Sequence, residues 1–235
     1  MAANSNRMHP LVAWRALRRL LDDPERTEEV FNVITALAGP ALERGYHRFA
    51  RTPVGAKVLL EDIELVDTLK DRDSLSKLPA NSLGRHYLQF VTSENITADG
   101  LVDASTDREF ANMSPGVKKF GTRQRDQHDL WHTLTEYGRD ELGEVCLLAF
   151  TYAQTRNRGV AAICLAGCFK LAPVYGRGIF GAALRAYREG KQAQWLPAQD
   201  WEYMLSQPID RVRELLNIPV PEAYQALKAN PLVTA

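Results

Sequence analysis

Proline steps govern what this chain can fold into. Asp23-Pro24, Gly39-Pro40, Thr52-Pro53, Leu78-Pro79, Ser114-Pro115-Gly116, Ala172-Pro173, Leu196-Pro197, Gln207-Pro208 and Ile218-Pro219 cut the 235 residues into short segments that carry helical periodicity. Proline fits the first turn of a helix, where its missing N–H would have no intrahelical partner, so these steps predict helix starts. Val30, Ile34, Leu37 and Ala38 follow the i, i+4, i+7, i+8 template behind Thr27 as N-cap, which predicts an amphipathic helix. Ile209, Val212, Leu215 and Leu216 share a face after Pro208, and Asn217 and Pro219 stop that helix. No alternating run flanked by hairpin signals occurs, and the one strand-like stretch is Gly100-Leu101-Val102. The expected fold is therefore all-α, a single-domain helical bundle over residues 1–235. Residues 91–122, rich in Thr, Ser, Asp, Asn and Gly, are the least periodic stretch and read as a mobile loop.

Charge narrows the function. Lysine plus arginine and aspartate plus glutamate both count 29, for a net charge of 0, so the basic excess of a nucleic-acid binder is missing. Cys146, Cys164 and Cys168, an odd number in apolar surroundings, do not form a disulfide framework and point to a reducing, cytoplasmic compartment. Arg15, Arg18 and Arg19 interrupt the apolar residues near the amino terminus, unlike a secretory signal. The apolar run Gly159 to Phe169 is closed by Arg158 and Lys170, short of the ~20 residues of a membrane span. The expected protein is soluble or lies on a membrane surface.

The chemistry concentrates in residues 123–146. On a helix, residues four apart differ by ~40° around the axis, so His128 and His132 project side by side with Asp129 a further ~60° round. Leu130, Leu134 and Tyr137 form the opposite stripe, an anchor for a core. On an unbroken helix Glu144 would lie ~18 Å along the axis from His132, beyond any shared ligand. Gly138 is midway, and a left-handed glycine there would end the helix and let Asp140 cap the next one, returning Glu144 to the level of His132 in a helical hairpin. Glu144 precedes Val145-Cys146-Leu147-Leu148-Ala149-Phe150, and a carboxylate entering a buried helix needs a metal, a cation or a proton. His128, Asp129, His132 and Glu144 make a mixed nitrogen and oxygen site for zinc, or for iron or manganese. The competing readings are a solvated histidine face and a helix-start acid at Glu144. A zinc-peptidase helix would carry glutamate where Asp129 stands.

These residues resemble the Coq-four family of ubiquinone (coenzyme Q) biosynthesis proteins, whose signature is H-D-x-x-H, eleven residues, then E. His128, Asp129, His132 and Glu144 match it at that spacing, Arg125 stands at the arginine three residues before the first histidine, and Leu142-Gly143-Glu144 matches the family's L-G-E. Pro79 to Phe90 is similar to its P-x-S-L-G-x-x-Y segment, and Trp201-Glu202 with Arg211 to Ile218 to its closing segment, so the resemblance covers about residues 20–220. Glu136-Tyr137-Gly138 departs from the family's usual turn.

The resemblance implies an all-helical fold, a divalent metal at the four motif positions with zinc foremost, and an apolar cavity for an isoprenoid tail. It implies one of two roles. One is oxidative decarboxylation at ring carbon C1 of a prenylated hydroxybenzoate, with His128, Asp129, His132, Glu144 and Arg125 as the active group. The other is a non-catalytic scaffold that binds the lipid and organises other quinone-biosynthesis enzymes. Without a mitochondrial extension, a bacterial member at the inner face of the membrane is expected, and a homodimer is compatible. Val160 to Ala183 could supply the lipid-binding surface or could be the buried helix pair of the core. Arg125 and Arg177 could each meet an anionic group. An open coordination position would separate catalyst from scaffold, since structural zinc is saturated by protein ligands. It would arise if Asp129 orients an imidazole instead of binding metal.

Overall fold

The structure, a computed structural model, describes residues 8–22, 26–61, 64–94 and 113–232. In chain order its helices are α1 (Pro10–Asp22), α2 (Thr27–Ala38), α3 (Ala41–Phe49), α4 (Pro53–Glu61), α5 (Leu65–Lys70), α6 (Arg72–Ser76) and α7 (Leu83–Ser93). They continue as α8 (Pro115–Asp126), α9 (His128–Thr135), α10 (Glu141–Thr155), α11 (Arg158–Tyr175), α12 (Gly178–Gln192), a 3-10 turn (Leu196–Ala198), α13 (Trp201–Met204), α14 (Ile209–Leu216) and α15 (Glu222–Ala229). Among the described residues there is no strand, only an isolated bridge between Ser82 and Pro208, so the all-α expectation holds.

Proline chemistry explains much of this order. Pro10, Pro53 and Pro115 open α1, α4 and α8, and Pro208 occupies the N-cap position of α14. Pro173 departs from the rule and sits inside α11, within its last turn. The Asp23-Pro24 step and the strand-like Gly100 to Val102 lie outside the described residues. Of the expected loop 91–122, residues 95–112 lie outside the described residues, 91–93 complete α7 and 115–122 belong to α8. Its polar residues there bond back to their own helices: Ser93 Oγ donates to the Phe90 carbonyl and Thr122 Oγ1 to that of Lys118.

The described chain divides into two compact units, one of residues 42–134 and 194–218, the other of 8–41, 135–193 and 219–232. In the first unit Phe49, Val58 and Phe120 form a core, with Tyr46, Val54 and Trp195 packed against it. Segment 81–84 interlocks with 205–209 through Leu83 N–H to Gln207 O (2.8 Å), Gly84 N–H to Leu205 O (2.8 Å) and Ile209 N–H to Asn81 O (2.9 Å). Ser82, fully buried, caps α7 by accepting from Arg85 N–H. In α14 the predicted apolar face is three-quarters right: Ile209, Val212 and Leu216 are buried, whereas Leu215 is 57% exposed.

In the second unit Ala16, Val33 and Ile163 join α1, α2 and α11 in one core. Val30, Ile34 and Leu37 of the predicted α2 stripe pack against this core, Ala38 of that stripe is not among the residues packed on it, and Val33 stands within it. The N-cap position of α2 falls on Arg26, one residue before the predicted Thr27. A Cβ on Gly159 would lie 2.5 Å from Ile34 Cα, so α2 and α11 meet backbone to backbone. Glu29 is buried with Arg19, which holds its carboxyl below the ordinary value, and with Asn32. The three cysteines are free and buried.

Candidate metal centre

Helices α8 and α9 are nearly continuous. Gln127 alone separates them, its N–H bonding to Arg123 O (3.2 Å) and its carbonyl accepting from Trp131 N–H (3.0 Å). Leu130, Leu134 and Tyr137 are all buried, as the anchoring stripe requires. His128 and His132 face one another with ring centroids 4.7 Å apart. They differ in environment: His132 is 1% exposed and stacks on Phe90, while 37% of the His128 side chain is open. Asp129, buried, places Oδ1 3.1 Å from His128 Nδ1.

Glu144 stands in the first turn of α10, whose N-cap is Asp140, accepting from Gly143 N–H at 3.0 Å as the sequence suggested. The turn itself is built differently from the prediction. Glu136 takes the left-handed conformation (φ 57°), and Gly138 does not. Gly138 is small for another reason, since a Cβ there would lie 2.6 Å from Asp140 Oδ2 and 2.7 Å from Tyr224 Oη. Gly143 is equally constrained, because its Cβ would fall 2.0 Å from the Gly138 carbonyl oxygen.

His128, His132 and Glu144 each offer one ligand atom, and those atoms all lie within 4.8 Å of one another. Two imidazoles and a carboxylate fit zinc at a three-ligand site, and equally the two-histidine, one-carboxylate set of non-haem iron. Asp129 is not in this group of atoms and lies beside the His128 ring. Arg125 directs Nε (3.1 Å) and Nη2 (2.9 Å) to Oδ1 of its neighbour Asp126. Burial pushes the Asp126 carboxyl above its ordinary value despite that guanidinium. Burial likewise raises Tyr87 on α7, with the Asp129 and Asp126 charges adding to it.

Two further arginines hold α8 and the histidine-bearing α9, and sequence reading gave them no role. Arg123, 2% exposed, grips Glu202 with Nη1 at 2.7 Å and Nη2 at 2.8 Å. Arg213 donates from Nε to Leu134 O (2.9 Å) and from Nη2 to Thr133 O (3.2 Å), satisfying carbonyls at the end of α9. The only available signal was that Trp201-Glu202 and Arg213 belong to the recognised closing segment.

The segment 160–183 resolves into two faces. Val160, Ile163, Cys164, Cys168, Leu171 and Ile179 are buried, while Leu165 and Phe169, and Leu184 just beyond the segment, are exposed, and Phe169 meets Phe180 edge-on at 5.3 Å. Helix α11 is long and apolar enough to cross a membrane by length and composition, with 33% of that stretch buried. A depression of about 380 Å³ in the first unit is lined by Leu75, Leu78 and Leu205 together with the carboxylates of Asp67, Asp71 and Glu202.

The all-helical fold carries a His-Asp-x-x-His helix followed by a glutamate in the first turn of the next helix, the signature noted in the sequence. Residues 4–222 match the family described as "Coenzyme Q (ubiquinone) biosynthesis protein Coq4", and the chain belongs to that family. Among curated relatives, the mitochondrial ubiquinone biosynthesis protein COQ4 homologue of Anopheles gambiae is 27% identical over 213 residues, 84% of this chain and 69% of its own. The Danio rerio homologue is 30% identical over 182 residues, 74% of this chain and 63% of its own. A Nostoc punctiforme crystal structure attributed to ubiquinone biosynthesis shares the fold, with a TM-score of 0.65 at 19% identity, covering 90% of this chain and 99% of that one.

Proposed function

We propose that this chain acts on a prenylated hydroxybenzoate intermediate of ubiquinone synthesis at a divalent metal held by His128, His132 and Glu144. The convergence of their three ligand atoms within 4.8 Å carries the reading. Zinc is the first choice, with iron or manganese served by the same donors. When bound, the metal supplies Lewis-acid stabilisation of charge on a ring carboxylate or phenolate oxygen, and iron would add redox capacity.

The chain's own residues set the site up. Asp129 accepts from His128 Nδ1 and so leaves Nε2 as the nitrogen with the lone pair, the role of a carboxylate behind a ligating imidazole. Phe90 stacks on His132 and restricts its ring. Arg125, three residues before His128, pairs with Asp126, which neutralises part of its charge. The reaction favoured is replacement of the C1 carboxylate by hydroxyl, a two-electron oxidation in which the ring carboxylic acid, water and dioxygen would give the phenol, carbon dioxide and hydrogen peroxide.

A second reading rests on a separate observation. Exposed Leu165, Phe169 and Leu184 form an apolar face on α11 and α12 suited to reversible attachment at the inner face of a membrane, where a scaffold would meet lipid and other quinone enzymes. The two readings part on Glu144→Gln, which keeps side-chain size and removes charge. The catalytic reading expects metal content measured by elemental analysis to fall, together with carbon dioxide release from a prenylated 4-hydroxybenzoate, while helix content stays. A metal-free but folded Glu144→Gln protein that still restores quinone synthesis in cells would establish the scaffold instead.

A further inference from the structure

The turn before Glu144 is gripped by the carboxy-terminal helix. Tyr224, 4% exposed on α15, donates its hydroxyl proton to Asp140 Oδ2 at 2.6 Å and accepts from Gly138 N–H at 3.1 Å. Lys228, one helical turn on, donates to the same Asp140 oxygen at 2.8 Å and to the Tyr224 hydroxyl at 3.0 Å. Asp140 is thereby shared: Oδ2 faces α15, Oδ1 caps Gly143 N–H, and its carbonyl accepts from Glu144 N–H at 2.9 Å. Burial alone would raise the Asp140 carboxyl, but Lys228 and Tyr224 outweigh it and hold the group below its ordinary value, as an anionic cap. Tyr137 completes the arrangement, edge-on to the Tyr224 ring at 5.6 Å and donating to buried Glu189 at 2.6 Å.

The two glycines show how little slack remains. The Tyr224 hydroxyl occupies the space a Cβ on Gly138 would need, and the Gly138 peptide occupies the space a Cβ on Gly143 would need. Hydroxyl, peptide and helix start are thus stacked in contact, and Glu144 is the next residue in that stack. A displacement of Tyr224 passes to the Glu144 backbone through one peptide and one cap.

We infer that Tyr224 and Lys228 are positioning residues, a clamp from α15 that fixes where the Glu144 carboxylate emerges. What Glu144 does there rests on the metal reading above, but the clamp can be tested separately. Tyr224→Phe removes one oxygen and keeps the ring, Lys228→Met is the milder companion, and Ile163→Val, in the core of the same unit, is a control for general loosening. Hydrogen exchange on the metal-free proteins is expected to rise at least tenfold at the Gly138 and Gly143 amides in Tyr224→Phe, and not in Ile163→Val. Zinc affinity, read by competition with a chromogenic chelator, is expected to fall at least threefold in Tyr224→Phe and less in Lys228→Met, with Ile163→Val equal to wild type. Unchanged exchange at both amides overturns the clamp. Faster exchange with wild-type zinc affinity overturns its positioning role. A wild-type protein that takes up no zinc, iron or manganese refutes the metal reading, and the exchange result alone then decides the clamp.

Discussion

Arg123→Met should be among the most damaging single changes in the first unit. The guanidinium is 2% exposed and bonds Glu202 through both terminal nitrogens, with Nη2 also reaching Gln199 O at 3.3 Å. Removing one member of a buried pair costs about 3–5 kcal/mol, because the other charge is stranded. Here Glu202 keeps 23% of its side chain in water, which lowers the expected cost to about 2–4 kcal/mol. The pH dependence has a definite sign. Burial pushes the Glu202 carboxyl up, but Arg123 more than offsets it and leaves the folded value below the usual 4.5. The pair's contribution is therefore complete above pH 4.5 and lost as pH falls through the lowered folded value. In Arg123→Met the stranded carboxyl would titrate above its unfolded value, so the deficit against wild type should shrink in acid. Urea unfolding of Arg123→Met, Glu202→Gln and the double variant at pH 7 and pH 4 measures this. The double variant should lose less than the sum of the singles by about 1.5 kcal/mol or more at pH 7, as expected for coupled neighbours. A coupling below about 0.5 kcal/mol, or a deficit that grows in acid, would refute the reasoning.

Three other perturbations follow from named contacts. Gly143→Ala places a methyl 2.0 Å from a backbone oxygen and should cost at least about 1–3 kcal/mol, seen as a lower thermal midpoint together with reduced metal content. Arg213→Met uncovers the Thr133 and Leu134 carbonyls and should cost about 1–3 kcal/mol in urea unfolding, while leaving Arg123→Met additive with it if the two clamps act independently. Phe169→Asp, on an exposed face, should keep the fold and weaken flotation with anionic vesicles, whereas Ile163→Asp, 8% exposed, should unfold the second unit, and equal vesicle binding by Phe169→Asp and wild type would remove the membrane role of this face.

What the sequence disclosed was local. The stripe Leu130, Leu134 and Tyr137 and the Asp140 cap depend on a few adjacent residues and are found where expected, and proline opens α1, α4 and α8, whereas Pro173 lies within α11 and Pro79 and Pro219 start no helix. The turn after α9 was misjudged because glycine implies a left-handed backbone only when nothing else explains it. Gly138 is explained by the atoms of Tyr224 and Asp140 crowding its Cα, and Glu136 takes the left-handed place. The two arginine clamps were illegible for a different reason. Arg123 and Glu202 are 79 residues apart, and no periodicity links them. The apolar segment 160–183 was ambiguous because a helix with one buried and one exposed apolar face has the same composition as a wholly buried one.

The choice between catalyst and staple comes down to Asp129. With four protein ligands a tetrahedral zinc would be saturated, and with three a position stays open for substrate. The converging atoms belong to His128, His132 and Glu144, and Asp129 lies 3.1 Å from His128 Nδ1, where it can orient the imidazole without binding metal. Cobalt(II) reports the difference, because its visible spectrum changes when a ligand enters the coordination sphere. A cobalt-loaded protein should therefore show new absorption on adding 4-hydroxybenzoate, and Asp129→Asn should retain cobalt with the amide in place of the carboxylate, though with weaker affinity of about 10–100-fold, the usual effect of disturbing a supporting carboxylate. Complete loss of cobalt in Asp129→Asn together with a spectrum indifferent to 4-hydroxybenzoate would make Asp129 the fourth ligand, close the site, and leave the metal as a staple joining the two helices that carry it.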